Sequence, residues 1–344
     1  MKKVCFLTNN WNQLGGIERV ISVLSIGFSK KENIQLTLLS LHSQAGKNSF
    51  FQLSEGTKCI HANCPLNEKP DNYLVKFFSE NVFDDLVTFH AGTALIVSRI
   101  INKIKPIKWI ATEHCDPLNY TWKRRLLNLY AYSKADFLVV LTDQTAEYYR
   151  KRLLRKITVI PNPVSFTCAE SCHYSSKTIL AVGRIEMVKR FDLLVKAFNS
   201  LTEKYPDWKL RIIGSGSQFE QLKQEADKSA NIELLGSRDD IKELMLDASF
   251  LVISSQYEGF SLVAIEALEC GLPIVSTPLP SIRAITQGYN TVKFAASNDW
   301  KSLAGKMEEL ICNPSLIQKM GIDAKACAKR YSLNNILHRW EEIL

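Results

Sequence analysis

The 344-residue sequence lacks any long apolar run: no stretch free of Asp, Glu, Lys and Arg exceeds 14 residues, the longest being Val4–Ile17 and Asn33–Gly46. A membrane-spanning helix needs about 20 predominantly apolar residues, so none is expected. Also missing are an Asp-x-Asp pair, a Walker loop, a nucleophile elbow and a His-Glu-x-x-His helix. The chemistries that carry those signatures, metal-bridged binding of the Asp-x-Asp design among them, lose their sequence support. The nine cysteines are odd in number and irregularly spaced, which suits reduced thiols better than a disulfide framework. Cys59, His61 and Cys64, and then Cys168, Cys172 and His173, do not repeat the paired Cys-x-x-Cys spacing of a tetrahedral zinc site. No metal is assigned. After Lys2 and Lys3 the apolar run reaches only from Val4 to Leu7, too short for a signal-peptide core, and a cytoplasmic location is the expectation.

What is present is an average globular composition, 46% hydrophobic and 23% charged, with enough length for two domains of ordinary size. The net charge of +8 is unevenly spread: Lys and Arg outnumber Asp and Glu by 22 to 13 over residues 1–165, whereas the remainder is close to balanced. A basic half beside a neutral one points to an anionic partner, such as a membrane surface, a phosphorylated acceptor or nucleic acid.

Short apolar runs alternate with helical spacing. Lys2–Thr8, Ile34–Leu41, Leu86–Phe89, Lys108–Thr112 and Phe137–Leu141 read as strands, with helices at Gly15–Phe28 and Leu95–Ile104. Ile157–Pro163 and the polar stretch Ser165–Lys177 read as a linker. The alternation then resumes with strands at Thr178–Val182, Lys209–Ile213, Ile232–Leu235, Phe250–Ser254 and Pro273–Thr277, separated by helices. The expected fold is α/β, two Rossmann-like domains over residues 1–164 and 165–330 facing a central cleft, with a C-terminal amphipathic helix over 331–344 packing back toward the first domain.

Chemistry is expected on strand-to-helix loops. Ser254–Glu266 passes from a strand through Gly259 to a helix that Ser261 is placed to cap, an arrangement that receives a phosphate on helix amides while Glu266 reaches a ribose. Glu258 lies nearer to whatever the phosphate carries. Two glutamates eight apart are weak alone, since 21 Glu in this length give about one such pair by chance, and Glu225 and Glu233 form another. In Gly183–Arg190, Arg184 and Lys189 stand five apart on a loop and suit a diphosphate, one as a planar fork and one as a point charge. Gly15 and Gly16 open a helix where backbone amides approach a ligand. His114 follows a strand and suits positioning or polarising a substrate group. Gly214-Ser215-Gly216 imitates a dinucleotide fingerprint without its third glycine and is discounted. In Tyr120–Leu127, Trp122, Lys123, Arg124 and Arg125 combine aromatic and basic character at the start of a helix and suit docking on an anionic bilayer. The same helix can instead turn Leu126, Leu127 and Tyr130 into the domain.

As a set, Gly15-Gly16-Ile17-Glu18, the His114 loop, Pro161-Asn162-Pro163, the Gly183–Lys189 loop and the Glu-x7-Glu pair Glu258/Glu266 resemble the family 4 glycosyltransferases, retaining enzymes of the GT-B architecture. The resemblance spans nearly the whole chain. It implies catalytic roles for Glu258, His114 and Lys189, and donor binding by Gly15, Gly16, Arg184, Lys189, Arg238, Gly259, Phe260, Ser261, Leu262 and Glu266. It implies further a metal-independent reaction with no cofactor, a UDP-sugar donor, and a glycan acceptor on a lipid carrier at the inner face of the plasma membrane, as in capsule, O-antigen or lipopolysaccharide assembly. The chain departs from the family pattern at Arg190, where Gly is frequent, and at Leu279–Arg283, where Gly-Gly-x-x-Glu is frequent. The alternatives are a GT-B-shaped nucleotide-sugar epimerase and a basic nucleic-acid-binding protein, the latter without a recognisable binding motif.

Overall fold

Strands covered on both faces need continuous apolar runs, and the chain supplies them: every residue from Val4 to Thr8 and from Phe250 to Ile253 is buried. The computed structural model describes residues 1–344, which divide into two units, Met1–Ser165 with Tyr331–Leu344, and Phe166–Arg330.

The first unit runs β1 (Lys2–Thr8), α1 (Gly16–Phe28), β2 (Ile34–Ser40), β3 (Lys58–His61), α2 (Asp71–Glu80), β4 (Asp85–Thr88), α3 (Ala91–Ile100), β5 (Lys108–Glu113), α4 (Trp122–Tyr132), β6 (Phe137–Val140), α5 (Asp143–Arg150) and β7 (Lys156–Val159). Its seven strands lie in the order β3-β2-β1-β4-β5-β6-β7, all parallel. The second unit runs β8 (Thr178–Val182), α6 (Phe191–Asn199), β9 (Lys209–Ile213), α7 (Phe219–Ala226), β10 (Ile232–Leu234), α8 (Ile241–Leu246), β11 (Phe250–Ile253), α9 (Leu262–Glu269), β12 (Ile274–Ser276), α10 (Pro280–Ile285), β13 (Val292–Phe294), α11 (Trp300–Ile311) and α12 (Pro314–Ala328). Its parallel sheet has the order β10-β9-β8-β11-β12-β13. In each sheet the order reverses beside the first strand, between β1 and β4 and between β8 and β11. Loops that leave those strands in opposite directions open a crevice at their carboxyl ends.

The last helix, α13 (Leu333–Glu341), belongs to the first unit. It lies on α1 where Gly27 has no side chain: a Cβ there would meet Leu337 Cδ1 at 2.6 Å and Leu333 Cδ1 at 3.1 Å. Lys31 pairs with Glu341 at 2.8 Å, and Val164 N donates to Tyr331 O at 2.8 Å, so the outgoing and returning segments of the first unit are tied together.

The linker reading needs correction. Ile157–Val159 is not a connector but part of edge strand β7, paired to β6 on one side only; Pro161 and Pro163 lie beyond its end and do not interrupt its hydrogen bonds.

Candidate active site

At the crevice of the second unit, the loops after β8 and β11 are stitched together. Ser254 Oγ donates to Lys189 O at 2.8 Å, and Gln256 N donates to Val188 O at 2.8 Å. This brings Lys189 Nζ to 2.6 Å from Glu258 Oε1, an oxygen that also accepts from Ser255 Oγ at 2.9 Å. The two side chains are only 21% and 13% exposed, so their charges interact with less screening than a surface pair. Arg184, on the same loop, is exposed. Beyond Glu258, Gly259 and Phe260 are half-buried, Ser261 is buried, Leu262 begins α9, and Glu266 is buried within that helix. The Ser261 hydroxyl makes no capping hydrogen bond to α9, contrary to the capping expectation. The Arg238 guanidinium is forked onto Asp240 at 2.8 and 2.6 Å. The chance-spaced Glu225 and Glu233 go to separate partners, Lys228 and the Lys209/Arg211 pair.

Two backbone features explain the loop after β8. Gly214 (φ +145°) and Gly216 lie directly under it: a Cβ on Gly214 would fall on Gly183 O, and one on Gly216 on Ile185 O. Gly183 N donates to Ile213 O, Ile185 N to Ser215 O and Gln218 N to Ile185 O. The discounted glycine pair therefore has a structural purpose, to let one loop lie on another. Arg190 has φ +52°, the left-handed conformation most easily adopted by Gly. Its guanidinium is held by Asp192 at 3.0 Å and Asn298 at 2.6 Å, which offsets the backbone cost at this departure from the family pattern.

The crevice of the first unit gathers Gly15, Gly16, Glu18, His90 and His114 at the ends of β1, β4 and β5. Glu18 is buried, with its carboxylate folded over Gly15 and Oε1 3.5 Å from His90 Nε2. That end of α1 thus faces a carboxylate of its own chain. His114 is half-buried, its ring stacked on Phe89 with centroids 5.9 Å apart. Burial pushes its pKa down to about 3, and His90 acts in the same direction. Thr112 Oγ1 donates its hydrogen to Thr88 O at 3.0 Å, so it can only accept from His114 Nε2, 2.8 Å away. The network assigns the proton to Nε2 and leaves Nδ1 a neutral acceptor.

The residue before His114 escaped the sequence reading. Glu113 is 2% exposed, and its carboxylate accepts from Cys115 N and Tyr120 OH on Oε1 and from Tyr132 OH and Tyr149 OH on Oε2, all at 2.9–3.0 Å. The tyrosines follow Glu113 by 7, 19 and 36 positions, a spacing with no local signal.

The second unit coincides closely with residues 173–326, which match the family model described as glycosyl transferases group 1. Over the full length of both chains, the sequence is 29% identical to an uncharacterized glycosyltransferase of Haemophilus influenzae and 23% identical to the amylovoran biosynthesis glycosyltransferase AmsD of Erwinia amylovora. The protein is a glycosyltransferase. Its fold is that of GT-B enzymes: the structure of TarM from S. aureus in complex with fondaparinux, α-GlcNAc-glycerol and UDP superposes with a TM-score of 0.83 at 14% identity, covering 100% of this chain and 99% of that one. Anabaena HepE in complex with UDP and glucose gives 0.81 at 15%, with the same coverage.

Two further segments of the glycosyltransferase bear on the sequence expectations. Leu279–Arg283 leads into α10, with Ser281 buried and the Arg283 guanidinium over the Phe294 ring at 4.2 Å. On α4, Leu126, Leu127 and Tyr130 do not turn inward: they are 58%, 46% and 53% exposed, beside Trp122 at 65%. The buried face is instead Asn128, Ala131 and Tyr132. Lys123 lies over the Trp122 ring, whereas Arg125 folds back to Tyr120 O and Leu118 O. Arg125 is therefore an anchor of the preceding loop as well as a basic residue.

Proposed function

We propose that this glycosyltransferase is a retaining enzyme that moves a hexose or N-acetylhexosamine from a UDP-sugar to a lipid-linked glycan acceptor during assembly of a bacterial surface polysaccharide. The observation that carries the reading is the Lys189–Glu258 contact at the β8/β11 crevice, with Arg184 on the same loop and α9 opening beside it. Cleaving a sugar–phosphate bond builds negative charge on the leaving diphosphate and positive charge at the anomeric carbon. Fixed cations and helix amides lower the first barrier without a metal ion. Lys189, Arg184 and the amides of Gly259, Phe260, Ser261 and Leu262 take the diphosphate in this reading, Glu266 takes the ribose, and Glu258 faces the transferred sugar. Gly15 and Gly16 offer backbone contacts on the first unit. His114 offers its Nδ1 lone pair to a substrate hydroxyl. The acceptor hydroxyl attacks on the face the nucleotide leaves, and the departing phosphate oxygen takes its proton. UDP is supported by the neighbours solved with it, TarM and HepE, and polysaccharide assembly by the relative AmsD.

Purified enzyme supplied with UDP-sugars and a lipid-linked acceptor in excess EDTA is expected to release UDP only when acceptor is present and to form an α-linked product from an α-linked donor. Activity abolished by EDTA and restored by magnesium or manganese would overturn the metal-independent reading. UDP and an altered free sugar released without acceptor would identify an epimerase.

The exposed Trp122, Leu126, Leu127 and Tyr130, with Lys123 and Arg124 alongside, support docking on the anionic inner face of the membrane. Basic residues near such a surface contribute about 1 kcal/mol each, and aromatic side chains settle at the headgroup level. Anionic vesicles are expected to sediment the enzyme at low salt and release it at high salt. With Trp122, Lys123 and Arg124 changed together to Ser, and Arg125 kept to hold its loop, sedimentation should fall at least fivefold. Undiminished pelleting would refute docking through α4 and leave the transfer reaction standing.

A further inference from the structure

We infer that Glu113 is a positioning residue for sugar transfer: its buried carboxylate fixes the backbone on both sides of His114 and sets the imidazole for its substrate. The inference rests on the reading of His114 as a substrate-facing group.

The geometry is specific to this position. Glu113 is the last residue of β5, and its own side chain turns back to accept from Cys115 N at 3.0 Å. The residues immediately before and after His114 are thereby pinned to one oxygen. That oxygen accepts also from Tyr120, which precedes the N-cap of α4, while the other accepts from Tyr132, the last residue of α4, and from Tyr149 of α5. One carboxylate thus ties β5, the His114 turn, both ends of α4 and α5. A carboxylate has about four lone-pair positions and no hydrogen, and four donors fill them. Burial pushes the Glu113 carboxyl above its ordinary range, opposed by these hydrogen bonds; the ionised form is the one that accepts all four.

Such a concentration of donors exceeds what closing a loop requires. An amide in place of the carboxylate presents NH2 to one pair of partners. The Cys115 amide cannot reverse its role, so the substituted side chain must keep its oxygen there and turn its NH2 toward Tyr132 and Tyr149, whose hydroxyl hydrogens then lose their acceptor. The loosened contacts are those that seat Glu113 against α4 and α5, and a shift of Glu113 carries the His114 turn with it. The ring itself is held only by Thr112 and by stacking on Phe89, so a shift of the backbone moves Nδ1.

The test compares the full-length wild type with Glu113→Gln by two readouts. Imidazole 15N NMR at pH 7, with His114 assigned through His114→Gln, is expected to show a single neutral Nε2–H tautomer in the wild type and a displaced or mixed signal in Glu113→Gln. Turnover is expected to fall on the order of 30-fold in kcat, with KM for the UDP-sugar within twofold, as misplacement of a positioned group does. A folded Glu113→Gln variant with an unmoved His114 signal, or with kcat within twofold of wild type, overturns the inference. If that variant does not fold, Tyr132→Phe, which removes one donor, is expected to displace the His114 signal and lower kcat severalfold; wild-type values for both overturn it. A wild type that transfers no sugar refutes the transferase role of His114, and the NMR arm then decides whether Glu113 positions the ring.

Discussion

Lys189→Ala is expected to lower kcat by about 100-fold, close to 3 kcal/mol in transition-state stabilisation, the usual loss when one preorganised charge donor is removed from a leaving group. The contact with Glu258 adds a second effect. Without the ammonium, a largely buried carboxylate loses its 2.6 Å partner and stands uncompensated beside the place proposed for the diphosphate. Glu258→Ala is expected to cost a similar factor, by freeing Lys189 and removing the group proposed to face the sugar. Because each single change already disables the same pair, the double variant should be little worse than either, a departure from additivity that a double-mutant cycle measures. Glu225→Ala, on the exposed face of α7, should stay within twofold of wild type. Fully additive losses at Lys189 and Glu258, or an equal loss at Glu225, would show that the pair does not act as a unit.

Gly214→Ala is expected to destabilise the second unit by about 4 kcal/mol, combining overpacking with an unfavourable backbone conformation. The added methyl meets a backbone carbonyl, Gly183 O, which cannot rotate away as a side chain does. The unfolding midpoint of that unit should drop by roughly 10 °C, and binding of UDP should weaken because the displaced loop carries Arg184 and Lys189. Gly305→Ala is the contrast: it lies within α11, its Cβ would meet nothing within 4 Å, and Ala there should stabilise by up to about 1 kcal/mol. Calorimetry of both variants decides the matter. Equal midpoints for Gly214→Ala and wild type would mean that the two loops do not need their close approach.

The two parallel sheets were legible because their central strands are continuous apolar runs, which no solvent-facing element needs. Helices such as α5 (Asp143–Arg150), which buries only Ala146 and Tyr149, and the C-terminal pair α11 and α12 were not delimited, since short or interrupted apolar patterns give little periodic signal. The Glu258 and Lys189 loops were legible through strand–glycine–helix context, and the structure adds that they touch. The environment of His114 was illegible for a different reason. Its tautomer depends on Thr88 and Thr112 across two strands, and Glu113 depends on three tyrosines whose distances along the chain obey no period. The role of Gly214 gave no motif to read, because the requirement is steric, a missing Cβ beneath a neighbouring loop.

Synthesis runs from the amino to the carboxyl end, so the second unit, Phe166–Arg330, emerges complete while the first still lacks Tyr331–Leu344. Until those last residues arrive, the face of α1 around Gly27 has neither Leu333 nor Leu337 against it, and Trp340 has not reached its place beside Val20 and Leu24. Of the two units, the one begun first is therefore finished after the other. Its closing contacts join residues some 300 positions apart, the kind of long-range pairing that slows folding and leaves apolar surface open to aggregation in the interval.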